Sequence, residues 1–90
     1  MRKKLVKICE DSYQIVLDGA PTEAMSLTWI KDNADTYGIR SDQIDMAVQE
    51  MEIKNHEVAD FGINGYFIIT QTLEEADLGH DLKKPYKEAQ

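Results

Sequence analysis

Strand-like and helix-like apolar patterns follow one another in a definite order along the chain, and that order restricts the fold. Residues 5–9 and 13–17 are rich in β-branched and aromatic side chains. In the second run Tyr13, Ile15 and Leu17 occupy every other position, which predicts a strand with one buried face. The polar residues 10–12 lie between the two runs, so the chain is expected to begin with a tight antiparallel hairpin.

A first helix is predicted to follow this hairpin. Its apolar face is marked by four residues at three- and four-residue steps, Leu27, Ile30, Ala34 and Tyr37. Pro21 suits the first helical turn, where a backbone N–H has no partner within the helix. Gly38 predicts the end of the helix, because glycine adopts the left-handed conformation found there and lets Ile39 fold back onto the last turn.

A second helix has the clearest periodicity in the chain. Its apolar residues recur at i, i+3, i+4 and i+7, namely Ile44, Ala47, Val48 and Met51. Ser41 is predicted to be its N-cap, and Asp42 favours the positive end of the helix dipole. Asn55 is predicted to end it.

The C-terminal part predicts a second hairpin and a short last helix. Residues 58–63 and 66–70 read as strands joined by Asn64-Gly65, a dipeptide that favours a type I′ turn. The run 66–69 has the strongest β propensity, and we expect it in the interior of the sheet. Thr72 and Glu75 match a capping box, and Gly79 would close the helix that follows.

Together these patterns predict an α+β fold in one domain that covers residues 1–79. We expect an antiparallel sheet of three or four strands, two consecutive helices on one face and a short C-terminal helix. Residues 80–90, which include three lysines and Pro85, are predicted to be a flexible basic tail.

The charge distribution indicates the kind of partner. The formal net charge is −7, but the cations lie mainly at the two ends of the chain. Between Cys9 and Leu82, sixteen Asp and Glu residues face only Lys31, Arg40 and Lys54, which leaves this part with a net charge of −13. A negative field of this kind repels phosphate and attracts basic surfaces.

The second helix concentrates this acidity opposite its apolar stripe. At 100° per residue, most of its acidic residues fall on the outer side, where Met46 and Ile53 also project. The predicted partner-binding residues are Asp42, Asp45, Met46, Gln49, Glu50, Glu52 and Ile53. Carboxylates would steer a basic partner, and the two apolar side chains would hold it by excluding water.

Several alternatives remain open at this point. Met46 and Ile53 can instead pack beneath the tail or a neighbouring strand, and the acidic surface can serve solubility alone. The broader form of the hypothesis is nucleic-acid mimicry, in which a phage or mobile-element protein inhibits a nucleic-acid-binding protein or complex. A homo-oligomeric structural module, such as a homodimer, is the second functional hypothesis, and a small enzyme using Cys9 or His56 is the third.

Other functions find little support in the sequence. Direct nucleic-acid binding is not expected, because a reading helix needs cations to displace counterions. His56 and His80 have no paired cysteines, and Asp32 to Asp35 lack the calcium-loop pattern, so no metal is predicted. No cofactor or membrane association is predicted. Cys9 is the only cysteine, which excludes an internal disulfide and favours a cytoplasmic location.

Overall fold

The computed structural model describes residues 1–63 and 68–76, and these form one sheet with helices on both faces. The strands are β1 (Lys3–Cys9), β2 (Ser12–Leu17), β3 (Ala20–Pro21), β4 (Val58–Gly62) and β5 (Ile69–Gln71). The helices are α1 (Leu27–Asp32), α2 (Ser41–Lys54) and α3 (Leu73–Ala76), with a 3₁₀ turn at Ala34–Tyr37.

All strand pairs are antiparallel, and the strand order is β3-β2-β1-β4-β5. The predicted α+β class is therefore confirmed, although the sheet has five strands rather than three or four. The first hairpin is also confirmed, since Leu5 pairs with Ile15 and Lys7 with Tyr13.

The prediction that Pro21 begins a helix is wrong, because Pro21 belongs to the additional strand β3. Asp18 and Gly19 have φ values of 50° and 84°, and two successive positive φ values turn the chain back into a hairpin. Pro21 then pairs with Val16 at the edge of the sheet. Proline is tolerated there because an edge strand has N–H positions that need no ladder partner.

The first helix is consequently shorter than predicted. It starts at Leu27, where the Ser26 hydroxyl accepts the Trp29 N–H at 3.2 Å and an Asp11 carboxylate oxygen accepts the Leu27 N–H at 3.2 Å. It gives way to the 3₁₀ turn, which ends at Gly38 in the left-handed conformation, with φ of 71°. The Ile39 N–H donates to the Ala34 carbonyl at 3.1 Å, so the predicted stop is confirmed.

The second helix agrees closely with its prediction. It begins at Ser41, one residue before the predicted start, so Arg40 rather than Ser41 is the N-cap. The Gln43 side-chain oxygen accepts the Arg40 N–H at 3.2 Å, which satisfies one donor at this end. Asn55 ends the helix with φ of 56° and ψ of 47°, as predicted.

Each face of the sheet contributes to its own apolar cluster. Alternation along the strands sends Leu5, Ile15, Ala59 and Phe61 to the face covered by α1, the 3₁₀ turn and α2, where the main core lies. The opposite face carries Val6, Val16 and Val58, which cluster with Leu73 and Ala76 of α3. The two predicted consecutive helices thus share one face.

The last helix confirms the capping box, whereas the placement of the last strand is a correction. The Glu75 N–H donates to the Thr72 hydroxyl at 3.1 Å, and Glu75 accepts the Thr72 N–H at 3.0 Å. Strand β5 lies at a sheet edge rather than in the interior, and Ile69 is 60% exposed. The Asn64-Gly65 turn, Tyr66, Phe67, Gly79, His80 and the tail 80–90 lie outside the described residues.

Candidate functional site

The outer face of α2 carries all seven predicted partner-binding residues. Met46 is 48% exposed and Ile53 is 71% exposed, and Ile53 lies within the helix, which continues to Lys54. Seven residues correspond to almost two full turns, so these two side chains project from the same line along the helix. Of the remaining five, Asp42, Asp45, Gln49 and Glu52 are exposed and Glu50 is half-buried.

Three of the four carboxylates on this face already have cationic neighbours. Asp45 lies 2.8 Å from the Lys31 ammonium of α1, and Glu50 lies 3.6 Å from Lys54, one turn along α2. Such exposed pairs stabilise a protein by about 1 kcal/mol or less. A partner's cation can therefore replace the intramolecular one at little cost.

The third pair lies at the start of α2. Two nitrogens of the Arg40 guanidinium donate to the two carboxylate oxygens of Asp42, at 3.0 and 2.9 Å. These hydrogen bonds lower the pKa of Asp42 below its ordinary value of 3.8. The carboxylate is therefore ionised throughout the neutral range, and the local charge of the pair is close to zero.

This pairing changes the electrostatic description of α2. The sequence predicts a strongly acidic helix, but three nearby cations compensate three of its four acids. Glu52 is the exception, since it has no ion pair with any residue in the described part of the chain. Uncompensated charge on α2 therefore collects at its C-terminal end, where the helix dipole is also negative.

A polar cleft of about 260 Å³ opens at this same end of α2. Its walls come from the end of α2, the connection to β4, and the neighbouring strands β1 and β2. The lining residues are Lys7, Tyr13, Val48, Met51, Glu52, Asn55, His56 and Glu57. The cleft thus combines one ammonium, two carboxylates, a phenol and an imidazole above an apolar base.

Tyr13 joins the cleft to the core. Its Cα pairs with that of Lys7 across β1 and β2, so both side chains leave the same face of the sheet. The Tyr13 residue is only 4% exposed, and its hydroxyl makes no hydrogen bond with any described residue. Burial raises the pKa of Tyr13 above 10.0, and the negative charges of Glu52 and Asp11 raise it further.

The turn after α2 orients the other polar groups of the cleft. The left-handed conformation of Asn55 reverses the chain, and the His56 N–H then donates to the Met51 carbonyl at 2.9 Å. His56 Nδ1 lies 2.9 Å from the Thr70 hydroxyl of β5. A Glu57 carboxylate oxygen accepts the Leu73 N–H at 3.1 Å.

The groups considered for catalysis do not converge on this cleft. Cys9 is exposed and is not among the lining residues. Asp60 does not line the cleft either, and its carboxylate accepts from the Arg2 guanidinium at 3.2 Å and from the Gly62 N–H at 2.8 Å. Sequence reasoning did not identify the cleft, because only the pairing of β1 with β2 and β4 brings Lys7 and Tyr13 to the end of α2.

Neither a metal site nor a membrane-spanning helix is found in the part of the chain that the structure describes. Within residues 1–63 and 68–76, no three His, Cys, Asp or Glu side chains are grouped closely enough to hold a metal ion. No helix in that part of the chain is long and apolar enough to cross a bilayer. The chain matches no protein-family model, no curated protein and no solved structure.

Proposed function

We propose that this protein is a non-enzymatic interaction module that binds a basic protein or nucleoprotein complex through the outer face of α2. The binding residues are Asp42, Asp45, Met46, Gln49, Glu50, Glu52 and Ile53. Occupying a basic nucleic-acid-binding surface would inhibit its normal use, which is the mimicry found in some phage and bacterial proteins. The cytoplasm is the compartment we expect for such a partner.

The observation that carries this proposal is the exposure of Met46 and Ile53 on one line along α2. Most of the apolar residues of α2 are buried, whereas these two are 48% and 71% exposed. Helix faces of this kind are recognised through anchors at i, i+3, i+4 and i+7. Gln49 and Glu50 occupy the positions between the two anchors and supply polar contacts.

The electrostatic contribution is expected to be long-range rather than local. The three cations near α2 reduce the field of the helix itself, but the surrounding body retains its acidic excess. A charged surface of this kind accelerates encounter with a basic partner and makes association sensitive to salt. Affinity after the encounter would depend mainly on the apolar contact.

The test is affinity capture from an extract of the source organism with three versions of the protein. These are the wild type, the double variant Met46→Ser/Ile53→Ser, and Ile69→Ser as a matched control on β5. We expect the wild type and the control to retain the same basic protein, with less retained at high salt. Equal retention by the double variant would contradict the proposal.

A homo-oligomeric module is the second candidate. Of the two edges of the sheet, the one at β5 is better suited to pair with another copy than the one at β3. Edge strands expose hydrogen-bonding groups that can pair with another chain. Pro21 occupies the opposite edge, where it removes a donor, whereas β5 carries the exposed Ile69. Pairing of two copies along β5 would bury Ile69 across a two-fold axis.

Light scattering separates the two candidates. A dimer that dissociates in Ile69→Ser and persists in Met46→Ser/Ile53→Ser would favour the oligomer. A wild-type monomer would leave both surfaces free and favour the foreign partner.

A further inference from the structure

We propose that the cleft at the end of α2 binds the guanidinium side chain of an arginine presented by the basic partner. The proposal rests on the partner-binding function above and adds the chemistry of one contact. The cleft includes Glu52 from the outer face of α2 but neither Met46 nor Ile53, and the two surfaces adjoin at the last turn of α2.

Hydrogen-bond acceptors for a guanidinium are available around the cleft. The Glu52 carboxylate has no ion pair within the described residues. The Tyr13 hydroxyl is unpartnered there as well, on a residue that is 96% buried, and Glu57 adds a second carboxylate. A guanidinium presents five donors in a planar fork, so it can reach several acceptors at once, which a single ammonium does less well.

The remainder of the lining suits the stem of an arginine. Val48 and Met51 form an apolar wall of the cleft. The three methylene groups of the arginine side chain can pack against this wall while its guanidinium reaches the carboxylates. The volume of about 260 Å³ is below the range of roughly 300–1,000 Å³ typical of pockets for whole small molecules. It is adequate for one long side chain entering from a partner.

The charge balance of the cleft favours a cation. Glu52 and Glu57 outnumber Lys7, and the carbonyl end of α2 adds partial negative charge. The Lys7 ammonium nevertheless repels a cation, so a variant without this charge distinguishes a cationic ligand from an anionic one. Removing the Lys7 charge should tighten guanidinium binding, whereas it should weaken a carboxylate or zwitterion that uses Lys7 as its anchor.

The experiment titrates the full chain with N-acetyl-arginine amide and follows the Met51 methyl and Tyr13 ring signals by NMR. N-acetyl-citrulline amide, which has nearly the same shape without the charge, is the control ligand. We expect saturable shifts with the arginine derivative, in the millimolar range, and none with the citrulline derivative. Equal shifts with both ligands, or none with either, would overturn the proposal.

Three variants locate the contact. Glu52→Gln should weaken binding about tenfold, since it removes a charge-assisted hydrogen bond. Lys7→Gln should tighten binding, and Asp35→Asn, which removes an exposed charge in the 3₁₀ turn before α2, should leave it unchanged. Weaker binding in Lys7→Gln, or no change in Glu52→Gln, would contradict the proposed site.

Failure of the arginine site can be told apart from failure of the proposed binding face on α2. If N-acetyl-arginine amide binds as expected but Met46→Ser/Ile53→Ser retains the captured protein, the cleft is supported and the α2 face is not. If that double variant loses the protein while the arginine derivative does not bind, the α2 face is supported and the arginine site is overturned.

Discussion

Replacing Gln14 with methionine should stabilise the protein, although the change removes a polar side chain that β2 holds in place. Gln14 is 2% exposed, and its side-chain oxygen is buried without a hydrogen-bond partner in the part of the chain that the structure describes. It lies opposite Val6 in the register of β1 and β2, on the face of the sheet that also carries Val16. This is an apolar setting, so the oxygen has lost its water without gaining another donor.

The expected gain follows from the cost of that oxygen. An unsatisfied buried acceptor costs about 1–3 kcal/mol, whereas an apolar replacement of similar shape usually costs less than about 1.5 kcal/mol. We therefore expect Gln14→Met to raise the free energy of unfolding by about 1 kcal/mol. For a chain of this length that corresponds to a rise of roughly 4–8 °C in Tm.

Two other glutamines provide controls with the same substitution and the same overall composition. Gln43→Met removes the oxygen that accepts the Arg40 N–H at the start of α2, so it should lower the free energy of unfolding by about 1 kcal/mol. Gln49 is exposed on α2, and Gln49→Met should change it by less than about 0.5 kcal/mol.

Urea unfolding followed by the fluorescence of Trp29 measures all three variants. Trp29 is the only tryptophan in the chain and is half-buried against the main core. The urea midpoints should rank Gln14→Met above wild type and wild type above Gln43→Met, with equal slopes. A Gln14→Met protein less stable than wild type by about 1 kcal/mol would show that the buried amide is favourable where it stands.

Three further changes test particular features of the fold. Asn55→Ala should lower the free energy of unfolding by about 1 kcal/mol, because alanine is strained at positive φ. Asn55→Gly should lower it by only a few tenths of a kcal/mol. Matched urea titrations compare the two variants, and equal losses would refute the argument. Thr72→Ala removes the hydroxyl that accepts the Glu75 N–H, so the amides of α3 should exchange hydrogen faster. The free energy that protects them from exchange should fall by about 1 kcal/mol, and unchanged exchange rates would count against the cap. Burial raises the pKa of Tyr13 above its unfolded value of 10.0, so the folded state keeps this proton longer and the free energy of unfolding should fall above about pH 10. That fall should be smaller in Tyr13→Phe, and an identical pH profile in the two proteins would contradict the assignment.

Local patterns predicted the elements whose contacts are local. The stripe of α2 is buried as expected, with Ile44 and Ala47 fully buried and Met51 2% exposed. Gly38 and Asn55 end their helices because both tolerate the left-handed conformation that a stop requires. Each of these features depends on residues within two helical turns of one another.

Features that depend on strand pairing were not predictable in the same way. Pro21 suits a helix start and an edge strand equally well, and only the pairing with Val16 decides between them. The β propensity of residues 66–69 gave no information about strand order, so β5 at the edge of the sheet contradicted the expectation.

The site shows the same division. The exposure of Met46 and Ile53 agrees with the helical period, whereas the contact of Lys31 with Asp45 joins α1 to α2 and could not be predicted from spacing. The cleft required three separate segments to meet, so the sequence contained no signal for it.

The most direct test of the proposed function measures the affinity of the captured basic protein for Met46→Ser/Ile53→Ser, beside wild type and Ile69→Ser. The two α2 side chains are only partly exposed, so we estimate that together they contribute about 2–3 kcal/mol on burial. The double variant should therefore bind roughly 30- to 150-fold more weakly, and Ile69→Ser should match wild type. Equal affinities for all three proteins would show that the outer face of α2 is not the binding surface.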